Sequence, residues 1–322
     1  MKTVVQSGYG DPARVLRFVD EEVPTPTDEQ VLVRVVASSV NSADWRQVLG
    51  IPRWARLMMG GLRGPRDARL GVDAAGVVEA VGSAVTHVKP GDEVFGARSG
   101  AFAEVVAGKS FVAKPANLSL AEAAALPVAA LTALQGLRDQ GRLEAGQSVL
   151  LNGAGGGVGH LAVQIGKALG AHVTAVTRTD KLELVRRCGA DTTIDYSTTD
   201  IGRLGDRFDL VVDIGSPKSL GVLRRLLKPT GTFVQIGAAK GFGGTLGRIA
   251  TATVRRRVIG QRVQFFIAKV NTADLDTLRG MAEAGQLRPI IERSYPLEQV
   301  ADAIAYAATE QVGGKIAIKV AR

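Results

Sequence analysis

The amino-acid sequence predicts a two-part α/β chain, a β-rich region followed by a doubly wound region of alternating strands and helices. Three observations carry this. Short β-branched runs separated by turns fill residues 1–120. Strands and helices alternate from Ser148 onward, the pattern of a parallel sheet covered on both faces. A glycine-rich loop from Gly153 to Gly159 joins the first of those strands to a helix.

In the first region, Val31-Leu32-Val33-Arg34-Val35-Val36 and Gly76-Val77-Val78-Glu79-Ala80-Val81 read as strands. Lys89-Pro90-Gly91-Asp92 reads as a turn before the strand Glu93-Val94-Phe95. Ser119-Leu120-Ala121-Glu122 has the form of a capping box, opening an alanine-rich helix that Pro127 interrupts and that resumes to Leu137. Strands then follow at Val149–Leu151, Val173–Val176, Thr193–Asp195, Leu210–Asp213 and Thr232–Ile236, with helices from Gly159 to Leu169 and from Lys181 to Cys188. Residues 237–247 are glycine-rich and read as a loop; Val258 to Val263 reads as a late strand at the sheet edge. Arg288–Ile291 and Lys315–Val320 read as strands flanking a helix from Leu297 to Ala308, and they are expected to return to the first region. The expected domains are therefore residues 1–120 with 286–322, and residues 121–285.

Composition narrows the class. The 322 residues are 46% hydrophobic and 22% charged, an ordinary globular balance. A single cysteine, Cys188, excludes an intramolecular disulfide and fits a reducing compartment; the expected location is cytoplasmic. No apolar run approaches the ~18 residues that cross a bilayer. The net charge of +9 comes from scattered basic residues, the densest run being Arg255-Arg256-Arg257. That scatter reads as a generally basic surface, and with no RNA-recognition motif present it weighs against nucleic acid as a partner.

The glycine loop directly follows a strand and opens a helix, the context in which such a loop binds a dinucleotide. Its fingerprint is Ala154-x-Gly156-x-x-Gly159, within Ala154, Gly155, Gly156, Gly157, Val158 and Gly159. Gly156 lets amides approach a pyrophosphate, Gly159 lets helix and strand pack closely, and the helix N-terminus offers unpaired N–H groups. About 20 residues on, where an NAD site carries a carboxylate, the chain reads Thr177-Arg178-Thr179-Asp180-Lys181. A guanidinium at Arg178, with Lys181 a turn later, suits a 2′-phosphate, so NADPH is the expected cofactor. Asp180 is expected to cap the next helix.

This order of parts resembles the medium-chain dehydrogenase/reductase superfamily. The resemblance rests on Gly71-Val72-Asp73-Ala74-Ala75-Gly76-Val77-Val78, Val81-Gly82, Pro90-Gly91-Asp92-Glu93-Val94, Leu131-Thr132-Ala133-Leu134 and Gly314-Lys315, and it spans essentially the whole chain. It implies a GroES-like β-rich domain plus a doubly wound Rossmann domain. Zinc enzymes of the superfamily carry Gly-His-Glu where this chain has Gly71-Val72-Asp73. One cysteine and three histidines (His87, His160 and His172) do not supply the three or four ligands zinc needs, and no metal is expected. Within the superfamily the chain is similar to the quinone oxidoreductase branch, which includes the zeta-crystallins and the reticulon-4-interacting protein. Ser39-Val40-Asn41-Ser42-Ala43-Asp44-Trp45 is close to that branch's Asn-Pro-x-Asp pattern, with Ser42 in place of the proline.

Hydride transfer without a metal favours substrates that delocalise the developing charge, namely quinones and α,β-unsaturated carbonyls. Asn41 is the expected hydrogen-bond donor, with Arg46 second; Asp44 is expected to be an ordinary ionised carboxylate that orients its neighbours. Tyr9 is a further candidate, or simply a turn residue between Gly8 and Gly10. Trp45, Trp54, Met58 and Met59 line an apolar mouth or merely pack. The resemblance places Thr132, Ile236, Gly237, Phe265, Phe266 and Lys315 at the cofactor, and it implies a homodimer through the sheet edge. Alternatives are an NADPH-dependent alkenal or enoyl reductase, and an NADPH-binding protein whose role is to bind RNA.

Overall fold

The computed structural model describes residues 1–51, 53, 56, 61, 64–215, 218–236 and 260–320. The chain forms two compact units, Met1–Ala129 with Val270–Arg322, and Ala130–Lys269. The dividing points lie some residues away from the expected 120/121 and 285/286. The reason is packing: the helix Leu120–Ala124 lies on the first unit's sheet, and the helix Thr272–Glu283 is tied to that unit by a bond from the Asn117 amide to the Ala282 carbonyl at 2.7 Å.

In the first unit, β1 (Lys2–Gln6) and β2 (Leu16–Asp20) pair antiparallel. The main sheet is built from β3 (Val31–Val40), β4 (Asp73–Val81), β5 (Glu93–Ala97), β6 (Val105–Gly108) and β7 (Phe111–Ala113). Alternating inward residues of these strands, among them Val31, Val33, Val35, Val78, Val94 and Phe111, form one buried core. The capping box at Ser119 forms: the Ser119 N–H donates to the Glu122 carboxylate and the Glu122 N–H to Ser119 Oγ, at 2.9 and 3.3 Å.

In the second unit, β8 (Ser148–Asn152), β9 (His172–Thr177), β10 (Thr192–Asp195), β11 (Phe208–Asp213), β12 (Leu227–Ile236) and β13 (Arg262–Phe266) make an all-parallel sheet in the order β10-β9-β8-β11-β12-β13. Val149, Leu150 and Leu151 are wholly buried, as a central parallel strand covered on both faces requires. Strand order reverses between β8 and β11, and ligands of open α/β sheets bind outside such a switch point. The late strand begins at Arg262 and not at 258; residues 258 and 259 lie outside the described set, as do Arg255–Arg257 and residues 237–247. The helix from Pro127 ends at Leu134 and continues as a π-helical turn, Gln135–Gln140.

The C-terminal strands β14 (Ile291–Pro296) and β15 (Lys315–Lys319) complete the first unit's sheet, in the order β14-β15-β3-β4-β5-β7 with β6 on β3. β14 starts where the expected strand was to end. Pro289 has no N–H to give a ladder, which moves the pairing downstream. The helix expected from Leu297 begins as a 3₁₀ turn, Leu297–Gln299, and is α-helical over Val300–Ala308.

Candidate functional site

The glycine loop leaves β8 at its carboxyl end, and hydrogen bonds fix that end. The Asn152 amide donates to the Asp213 carboxylate, and Gln235 Nε2 donates to the Asp213 carbonyl, both at 2.9 Å, lacing β8, β11 and β12 together. Gly153 and Ala154 N–H donate to the Val176 carbonyl at 3.1 and 3.0 Å. A Cβ on Gly159 would lie 2.2 Å from the Gly153 carbonyl oxygen, so the helix can start this close to the strand only with glycine there. A Cβ on Gly155 would lie 2.5 Å from Thr177 Oγ and 2.8 Å from the Lys181 side chain, which sets the loop against the end of β9. Above Gly156 the nearest atom is 3.7 Å away. Among the described residues, the N–H groups of Gly155, Gly157 and Val158 have no backbone acceptor. His160 is wholly buried in the first helical turn, its Nδ1 2.9 Å from the Gly156 carbonyl. The loop therefore fits a phosphate: open room, free amides and a helix N-terminus.

Arg178 follows β9 as expected, but Asp180 is not a helix cap. Its carboxylate takes both guanidinium N–H groups of Arg178 at 2.6 Å each, and the next helix is capped by neither residue's side chain. Geometry explains the difference: two residues on, the carboxylate meets the planar guanidinium fork face to face, a stronger contact than one backbone N–H. The pair is exposed, so a competing anion can reach it.

Ile236 closes β12, buried, and Gly237 lies outside the described residues. Phe265 and Phe266 are half-buried in β13. A Cβ on Gly136 would come within 3.0 Å of Ile236 Cδ1 and 3.4 Å of the Phe266 ring, so the π-helical turn packs on both. Gln135, in that turn, exchanges two side-chain bonds with the Lys269 backbone at 2.7 and 2.9 Å. Thr132 stands half-buried on the preceding helix in this second unit.

The first unit holds a buried polar cluster. Strand register builds it: β3 and β4 pair Ser39 with Asp73, and β15 pairs Ile316 with Val40, which sets Lys315 beside Asn41. Asp73 Oδ2 accepts from Ser39 Oγ at 2.6 Å, from Asn41 Nδ2 at 2.7 Å and from Lys315 Nζ at 3.4 Å. Its Oδ1 accepts from the Val128 N–H at 2.8 Å. Lys315 Nζ also donates to Asn41 Oδ1 at 2.6 Å and to the Val40 carbonyl at 3.1 Å. Lys315 is only 2% exposed and its ammonium is spent on these acceptors. Asp73 and Ser39 were not singled out in the sequence as site residues. The available signal was a carboxylate inside the apolar run of β4.

Asp44 also departs from expectation. Its carboxylate accepts the Asn41 backbone N–H at 2.7 Å, and burial pushes its pKa up to about 7. The neighbouring Asp73 charge adds to the rise, against the Asn41 N–H and the Lys315 ammonium. It is not an ordinary ionised carboxylate. Arg46 lies over the Trp45 ring at 5.1 Å, and burial lowers its pKa, opposed by Glu310. Trp45 itself is core; Trp54, Met58 and Met59 lie outside the described residues. The Tyr9 ring carries the Arg56 guanidinium at 4.7 Å, and its hydroxyl is buried without a partner among the described residues. His87 Nε2 lies 3.0 Å from the Phe111 carbonyl and His172 lies beside Asp191. Among the described residues no three His, Cys, Asp or Glu side chains converge as a metal site would require.

Two family models match the chain: one described as alcohol dehydrogenase GroES-like domain over residues 27–130, the other as zinc-binding dehydrogenase over residues 188–318. A 2-methylene-furan-3-one reductase of Solanum lycopersicum is 33% identical, over 99% of this chain and 79% of its own. An NADPH-dependent alkenal/one oxidoreductase of Arabidopsis thaliana, a chloroplastic protein, is 32% identical with the same coverage, 99% and 79%. The solved structure of the quinone oxidoreductase from Coxiella burnetii superposes with a TM-score of 0.85 at 30% identity, covering 100% of this chain and 99% of that one. With parallel sheet, glycine loop, returning C-terminal strands and these relatives together, the chain belongs to the medium-chain dehydrogenase/reductase superfamily, in its quinone oxidoreductase branch.

Proposed function

We propose that this protein is an NADPH-dependent reductase of quinones and α,β-unsaturated carbonyls. The observation that carries the reading is the glycine loop, with Gly159 packed on the Gly153 carbonyl, free amides at residues 155, 157 and 158, and Arg178 at the end of β9. The names of the relatives support the same substrate class, from furanone and alkenal/one reductases to a quinone oxidoreductase.

Bound NADPH supplies a hydride. The chain's own residues do the rest: loop amides hold the pyrophosphate, and the Arg178 fork exchanges Asp180 for the 2′-phosphate. The second Nδ2 hydrogen of Asn41 donates to the substrate oxygen where negative charge develops. Delocalisation over an enolate or a hydroquinone anion makes one neutral donor sufficient. Zinc-independence belongs to this proposal, since the chain has one cysteine and three histidines. So does a homodimer formed through β13, the edge strand of the second unit's sheet. A reducing compartment fits the single Cys188, whose thiol burial pushes up to about 11. Among the described residues no helix is long and apolar enough to cross a membrane.

Loss of nicotinamide absorbance with phenanthrenequinone and with an alkenal, in the presence of a chelator, tests the reading. Turnover of both with NADPH is the expected result; binding of NADPH without turnover of either overturns it. Arg178→Asp should weaken NADPH binding roughly ten- to a hundredfold, the worth of one or two charge-assisted hydrogen bonds, and leave NADH nearly unchanged. Equal losses for both cofactors would remove Arg178 from the 2′-phosphate site.

A further inference from the structure

Asn41 sits between two groups of opposite charge, and each meets a different end of its carboxamide. The Lys315 ammonium donates to Oδ1 at 2.6 Å, and Nδ2 donates to the Asp73 carboxylate at 2.7 Å. The two charges are sealed from water, Asp73 0% and Lys315 2% exposed, while Asn41 keeps 9% exposure. An asparagine amide ordinarily has two orientations of nearly the same shape, because a half-turn only exchanges oxygen for nitrogen. Here a half-turn would aim N–H groups at the ammonium and the oxygen at the carboxylate. Both contacts would change from attraction to repulsion where little water screens them. Nor are the two charges free to move aside. Asp73 is also held by Ser39 Oγ and the Val128 N–H, and Lys315 by the Val40 carbonyl. Apolar residues of similar volume often replace a buried ion pair without loss of stability, so the pair is weak evidence of a purely structural role. What apolar residues cannot do is tell the two ends of an amide apart.

We propose that Lys315 and Asp73 are positioning residues that lock the Asn41 carboxamide in one orientation, leaving one Nδ2 hydrogen to bond the oxygen of a quinone or enone. The proposal rests on the reading of Asn41 as the donor to substrate. It gives Lys315 a role exerted through Asn41 and not on the cofactor.

The test compares the wild type, Asn41→Ala, the paired replacement Asp73→Asn with Lys315→Met, and all three changes together. The paired replacement removes both buried charges at once, so neither is left unpaired to unfold the chain. The paired variant should melt cooperatively and bind NADPH with an unchanged dissociation constant in a fluorescence titration. Its kcat should fall about tenfold or more, the cost of a misplaced donor. Adding the paired replacement to Asn41→Ala should lower kcat no further. Wild-type kcat in the paired variant, or equal fractional losses with and without Asn41, overturns the proposal. Hydrogen exchange of the Asn41 side-chain amide in the wild type reads the lock without turnover, and it stands even where a variant fails to fold. Slow exchange of one Nδ2 hydrogen supports the lock; fast exchange of both overturns it. Slow exchange together with full turnover in Asn41→Ala keeps the lock and overturns the donor reading instead.

Discussion

At Asp44, folding places a carboxyl group where its charge is costly. Its pKa rises from 3.8 to about 7, chiefly through burial. The folded chain therefore binds this proton more tightly than the unfolded chain, and stability falls as pH rises from about 4 through 7. The full cost above that window is at most roughly 4 kcal/mol. Asp44→Asn keeps an oxygen to accept the Asn41 N–H and cannot ionise. It should raise the melting temperature by roughly 5 °C or more at about pH 8 and change it little near pH 5. A difference that did not vary with pH would show that Asp44 is ionised in the fold at both. Asn41 and Asp44 are legible in the sequence because Asn41-Ser42-Ala43-Asp44 resembles the branch's Asn-Pro-x-Asp pattern. Their partners are not. Asp73 and Lys315 lie 32 and 274 residues from Asn41 along the chain, and only the pairing of β15, β3 and β4 assembles them. No local pattern reports a register.

The glycine loop is where a single element fixes both fold and ligand. Gly159→Ala would drive a methyl group to 2.2 Å from the Gly153 carbonyl and 2.6 Å from Ala154. Both obstacles are backbone, pinned by the Val176 carbonyl, so the helix must shift off β8. The variant should melt several degrees lower, in line with about 1–3 kcal/mol for overpacking, and bind NADPH weakly. Gly156→Ala meets nothing nearer than 3.7 Å, so it should keep the melting temperature and lose only cofactor affinity. If the two variants lost stability alike, close helix–strand packing would not be the reason for Gly159. This loop was legible because strand, glycines and helix start adjoin in sequence. The same holds for β8, β9 and β11, whose apolar runs declare themselves. The π-helical turn Gln135–Gln140 was not legible. Its sequence, Gln-Gly-Leu-Arg-Asp-Gln, carries no mark of a wider turn, and what distinguishes it is tertiary, the Gln135 bonds to Lys269 far along the chain.

Over the whole molecule the balance of 40 basic against 31 acidic residues leaves a net charge of +9. Exposed ion pairs such as Lys167–Asp191 and Lys228–Asp209 cancel charge locally, are each worth little in stability, and leave that excess unchanged. The result is a positive field that reaches about 8 Å at physiological ionic strength and draws in anions. NADPH carries about two more negative charges than NADH through its 2′-phosphate. Its association rate should therefore fall more steeply with added salt, while dissociation changes less; stopped-flow binding at several ionic strengths reads both. The same series separates the reductase from a protein built to bind RNA. A phosphate-backbone partner that releases many counterions would lose about 10³-fold or more in affinity between low and moderate salt, far beyond the response to one cofactor phosphate. Identical salt slopes for NADPH and NADH would mean that the excess charge plays no part in choosing between the two cofactors. The Arg178–Asp180 fork would then have to discriminate by contact alone.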